Sequence, residues 1–181
     1  MSDINFREWS YLREGTAVQQ RIYQVLTQYH IMQSLEEFDP VLVGTFPIDI
    51  AIESSDLEIA CCYSNQEDFI HVVTEAFGPL NDLVITKIDI ANHPTVVVNF
   101  TVEEFPVELF GQSIAVNYQN GYQHMLIEYN ILKAKGEEFK QEVIKLKKAG
   151  IKTEPAFAQL LGLNGNPYNS LLQYKDVQVK L

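Results

Sequence analysis

The chain has 181 residues, 46% hydrophobic and 20% charged, enough for one sizeable core and barely enough for two domains. A net charge of −11 argues against free nucleic acid as a partner, and no apolar run approaches the roughly 20 residues that cross a bilayer. The start, Met1-Ser2-Asp3-Ile4-Asn5, lacks the basic-then-apolar pattern of a secretion leader, so a cytoplasmic location is expected.

Along the chain, Thr16 caps a predicted helix whose apolar positions Val18, Ile22, Val25, Leu26 and Tyr29 follow helical spacing. A short helical stretch over 30–38 ends at Asp39-Pro40, because the residue before proline resists helical geometry. Val41-Leu42-Val43 reads as a short strand stopped at Gly44-Thr45, and 46–53 as a further strand or an extended loop. Ser54-Ser55 breaks it before a stronger strand over 56–63. That strand contains Cys61 and Cys62, which point to opposite faces and suit core filling in a reducing compartment better than a disulfide.

A helix with the stripe Phe69, Val72, Val73 and Ala76 follows, ending near Gly78-Pro79. Strands over 83–90, 95–102 and 106–110 have connections short enough for antiparallel neighbours. From Tyr118 the chain is helical, broken at Gly136 before a lysine-rich helix that packs through Phe139, Val143 and Leu146. Thr153-Glu154-Pro155 opens another helix, and a short last one follows the turn at 163–167. The order implies an α+β fold with one mixed β-sheet flanked by helices and a helical C-terminal tail. The expected division is a core over 1–116 and a helical region over 117–181, packed as one domain.

Chemistry concentrates in Val43-Gly44-Thr45 and, ten residues on, Asp56-Leu57-Glu58-Ile59. Residues i and i+2 of a strand share a face, so Asp56 and Glu58 project side by side while Leu57 and Ile59 enter the core. Two such carboxylates repel unless a cation lies between them, and a hard ion such as Mg²⁺ keeps one or two carboxylates plus substrate phosphates. Gly44 lets the backbone approach a phosphate closely, and Thr45 adds a hydroxyl donor. The seven lysines against three glutamates between Lys133 and Lys152 form either a solvated helix face or a wall that attracts phosphate.

This pattern resembles the nucleotidyltransferase superfamily that includes DNA polymerase beta and the aminoglycoside adenylyltransferases. From Tyr11 to about Leu172 the chain is similar to a bacterial family of nucleotidyltransferase-like proteins described as a domain of unknown function. The resemblance is carried by residues 40–48, 55–59, 108–112, 124–126 and 152–157. It implies Asp56, Glu58 and a third acid as catalytic and metal-holding residues, with Mg²⁺ or Mn²⁺ as the ion. Glu108, in Pro106-Val107-Glu108-Leu109-Phe110, is the preferred third acid, and Asp89 in Lys87-Ile88-Asp89-Ile90 is its rival.

The resemblance also assigns nucleotide contacts to Gly44, Thr45, Ser55 and His124. Two residues depart from the superfamily pattern: Thr45 stands where Ser or Gly is usual, and Glu58 where a second Asp is usual. The implied activity is metal-dependent transfer of a nucleoside monophosphate from a nucleoside triphosphate to a hydroxyl of an unidentified acceptor. The alternatives are a nucleotide- or metabolite-binding protein without catalysis, and an interaction module. His124 also fits a buried hydrogen-bonded histidine, and Tyr118 and Tyr122 fit either base stacking or core packing.

Overall fold

The computed structural model describes residues 4–80 and 82–174. They form two compact units: 4–43 with the described residues of 56–119, and 44–55 with 120–174. The expected division placed 44–55 in the core and the boundary at 116. In the structure 44–55 folds with the helices that begin at Asn120, while residues 175–181 of the expected helical region lie outside the described residues.

The first unit is built on a five-stranded sheet. Its strands are β1 (Val41–Val43), β2 (Leu57–Cys62), β3 (Val84–Ile90), β4 (His93–Val102) and β5 (Phe105–Gln112). Their spatial order is β1-β2-β5-β4-β3, with β2 parallel to β5 and every other pair antiparallel. The β3–β4 turn places Ala91 and Asn92 both at positive φ, the geometry that matches strand twist in a two-residue hairpin. Glu103 is likewise at positive φ between β4 and β5, and its loop is held by Arg21, which pairs with both Glu103 and Glu104.

One face of the sheet is apolar. Leu57, Ile59 and Cys61 of β2, Val107 and Leu109 of β5, and Val96, Val98 and Phe100 of β4 are all buried. Two helices of this unit are α1 (Ala17–Gln28) and α3 (Gln66–Phe77), with the single turn α2 (Ile31–Ser34) between them. Thr16 and Gln19 form a reciprocal capping box at the start of α1, which buries Ile22, Val25 and Leu26. Asn65 caps α3, whose Phe69, Val73 and Phe77 are buried. The Phe77 ring stacks on Phe100 at 4.8 Å, and Phe38 meets Phe69 edge-on at 4.9 Å.

The second unit contains α4 (Asn120–Lys135), α5 (Glu137–Lys148), α6 (Thr153–Leu161) and α7 (Pro167–Leu172). Gly136, at φ 80°, separates α4 from α5 as the sequence predicts. The segment 46–53 forms no strand: it turns over 46–49, with Asp49 at φ 56°, continues through 50–52 as a loop, and buries Phe46, Ile48 and Ile50. Among the described residues no helix is long and apolar enough to cross a membrane.

Gly111 of β5 lies against the Phe69 ring, and a Cβ there would sit 2.7 Å from Cε1 of that ring. Gly111→Ala should therefore destabilise the protein by about 1–3 kcal/mol, the usual cost of overpacking, read from urea unfolding midpoints. An unchanged midpoint would show that α3 shifts freely on the sheet.

Candidate metal and nucleotide site

In the first unit, Glu58 and Glu108 are register partners on the parallel strands β2 and β5, and Asp56 precedes β2 by one residue. The same row runs from Val43 of β1 through Glu58 and Glu108 to Asn99 of β4 and Val84 of β3. Asp56 lies one residue before β2 and is half-buried, as are Glu58 and Glu108. Glu108 sits close enough to Asp56 for the two charges to interact.

Their placement follows from the buried face. Leu57, Ile59, Val107 and Leu109 must enter the core, so the alternating positions 58 and 108 share the other face. Burial, and secondarily the Asp56 charge, hold the Glu108 carboxyl above the ordinary value of 4.5. Of the two candidates for third acid, only Glu108 joins this row. Asp89 is exposed on β3, opposite Pro94, with β4 and β5 between it and β2.

Asn99, paired with Glu108 and exposed, is the neighbour that the sequence reading did not single out. Its signal was a lone amide in the run Val96-Val97-Val98-Asn99-Phe100.

The donors fit a hard divalent cation in kind, since all are carboxylate oxygens. Among the described residues, no three His, Cys, Asp or Glu side chains already converge in a metal-binding arrangement.

The second unit holds the expected phosphate-contacting residues. Gly44 adopts φ 76°, a conformation that glycine takes without strain. The Thr45 hydroxyl donates to Ser55 Oγ at 3.4 Å, and Ser55 Oγ accepts the Ile52 N–H at 3.0 Å. The structure thus brings Thr45 and Ser55 together within one unit. Thr45 itself is buried at 8% exposure, so its hydroxyl serves the loop in this state.

His124 is placed differently from the nucleotide contact expected for it. It is buried in α4, with Nε2 3.0 Å from the Tyr168 carbonyl and Nδ1 3.7 Å from a Glu154 carboxylate oxygen. Both ring nitrogens face groups of α6 and α7, so the ring ties helices together. The basic stretch divides as well. Lys147 is buried and donates to the Ile50 carbonyl at 2.8 Å, and Lys140 pairs with Asp49. Lys148 lines an open cavity of about 390 Å³ with Ile52, Glu53 and Ser54. Tyr122 is core, as one reading expected, and Tyr118 in the first unit is 68% exposed.

The expected α+β fold, one mixed sheet flanked by helices, is shared with solved structures at low sequence identity. A GLD-2/RNP-8 complex matches 84% of this chain and 61% of its own, at 14% identity and a TM-score of 0.53. Cid1 poly(U) polymerase with MgGTP bound matches 71% of this chain and 41% of its own, at 12% identity and 0.51. The same polymerase with Mg 3'-dATP bound matches 90% and 52%, at 12% identity and 0.53. The chain therefore spans 61% or less of each of these proteins. It belongs to the family described as Domain of unknown function (DUF4269), whose model matches residues 24–174. No curated protein matches it.

Because its carboxyl is raised, folded Glu108 keeps a proton to higher pH than the unfolded chain does. Across the window upward from 4.5 the folded state binds more protons, so stability falls as pH rises through it. In metal-free buffer Glu108→Gln should be more stable than the parent at neutral pH, with the difference closing below 4.5. Thermal unfolding at both pH values measures this, and an equal gap at both would remove electrostatics as the cause.

Proposed function

We propose that the protein is a metal-dependent nucleotidyltransferase that moves a nucleoside monophosphate from a nucleoside triphosphate to an acceptor hydroxyl. The observation that carries this reading is the Glu58–Glu108 pairing, with Asp56 near enough to disfavour the Glu108 charge. The superfamily fold supports it in class, while the chemistry is argued from the carboxylates.

Asp56, Glu58 and Glu108 would hold Mg²⁺ or Mn²⁺. Once bound, such an ion would neutralise phosphate charge and favour both the attacking and the leaving oxygen. Burial raises the proton affinity of Glu108, which suits it to take the proton of the acceptor hydroxyl. As that proton leaves, the acceptor oxygen forms its bond to the α-phosphorus and the bond to the pyrophosphate oxygen breaks. Asp56 and Glu58 position the reactants.

A second reading, nucleotide binding without transfer, is favoured by two observations. Glu58 is longer than the aspartate usual there, and no three-ligand cluster is preformed among the described residues.

A triphosphate at a hundredfold its dissociation constant should raise the melting temperature by about 5–10 °C when Mg²⁺ is present. Asp56→Asn and Glu58→Gln should each remove the metal-dependent part of that shift. Each should also lower pyrophosphate release by about a hundredfold or more. Stabilisation without pyrophosphate from any acceptor would establish the binding-only reading. Full stabilisation and turnover in both variants would reject the assigned roles.

A further inference from the structure

Strand β3 lies at one edge of the sheet, and among the described residues β4 is its only strand partner. Natural sheets commonly blunt such an edge with short strands, bulges, proline or charge, because its outward N–H and C=O groups can pair with another chain. This edge is seven residues long, Val84-Ile85-Thr86-Lys87-Ile88-Asp89-Ile90, without proline. Three of its large apolar side chains are left in solvent: Val84 at 55%, Ile88 at 42% and Ile90 at 38% exposure. All three belong to one face of the strand, while Lys87 and Asp89 belong to the other.

The order of these residues is self-complementary. When two antiparallel copies of one strand pair about a two-fold axis normal to the sheet, residues of like parity meet. An axis through Ile88 sets Lys87 opposite Asp89 of the second copy and Asp89 opposite Lys87 of the second copy. On the other face the same axis joins Ile88 to Ile88 and Thr86 to Ile90. An axis through Lys87 would instead place lysine on lysine, and one through Thr86 would leave Lys87 opposite Ile85. Only the Ile88 register satisfies both charge and apolar contact.

We propose that β3 is a homodimerisation edge, pairing antiparallel with β3 of a second copy in the Ile88 register and joining the two sheets into one. Lys87 already contacts Glu67 at 2.7 Å. Its ammonium carries three donors and can serve both carboxylates. The overall charge of −11 per chain opposes association, which makes the two ion pairs decisive for register and the dimer sensitive to them. This inference does not depend on the transfer reading.

Charge exchange tests it on the full chain. The parent protein should sediment as a dimer in a concentration-dependent equilibrium. Lys87→Glu and Asp89→Lys each turn two attractive pairs into repulsive ones and should weaken the dimer by about tenfold to a hundredfold. An equimolar mixture of the two variants should dimerise again. In the mixed dimer the new glutamate of one variant faces the new lysine of the other, and the retained Asp89 faces the retained Lys87. Restoration also demonstrates that both variants are folded. A parent that stays monomeric at every concentration overturns the proposal. So does a dimer indifferent to both substitutions, which would place the contact elsewhere, or a mixture that fails to reassociate.

Discussion

The parallel pairing of β2 with β5 is the constraint on which the rest of the candidate site depends. It sets Glu58 against Glu108 across a ladder whose opposite face is filled by Leu57, Ile59, Val107 and Leu109. Like charges directly opposite on a sheet destabilise it. The register nevertheless holds, because slipping by one residue would turn every one of those apolar side chains out of the core and the glutamates into it. Burial of hydrocarbon therefore enforces that pairing, while the Glu108 carboxyl itself is raised by its own burial and secondarily by the Asp56 charge.

A comparable logic governs the second unit. The turns and loop of 46–53 could not hold themselves, having neither a strand ladder nor a helix. They are fixed by burying Phe46, Ile48 and Ile50 and by a lysine placed where solvent cannot reach it. Lys147 directs its ammonium to the Ile50 carbonyl, and Lys140 meets Asp49 at a strained positive-φ position. Two lysines of the basic stretch, read from the sequence as either a solvated face or a phosphate-attracting wall, are thus structural partners of the segment that carries Gly44 and Thr45. His124 belongs to the same class, a titratable group occupied in holding helices.

The fold is shared with the GLD-2 and Cid1 proteins at identities too low to transfer a substrate, and the chain is shorter than theirs. Function has to be read from the carboxylate row and the residues beside it. Asn99, neutral and exposed next to Glu108, is the sheet neighbour on the side away from β1. The edge strand adds a different feature, because its charges alternate with apolar side chains in the self-complementary order on which the proposed dimer rests.

Several parts of this protein were legible in the chain alone, for reasons of local physics. Helix α1 announced itself through Thr16 and its apolar spacing, and α3 through Phe69 and Val73, because capping and amphipathic period are short-range properties. The hairpins of β3, β4 and β5 followed from short connections, and the entry of Leu57 and Ile59 into the core, with Glu58 alternating between them, from the pleat. What the chain could not state was which strand lies beside which. Glu108 and Asp89 have the same local character, and only the sheet order, a matter of contacts between residues about fifty positions apart, put one against Glu58 and the other at the far edge. The fate of Lys147 and His124 was equally hidden. A side chain's partner is decided by whatever packs against it in three dimensions, and neither charge nor helical spacing carries that information.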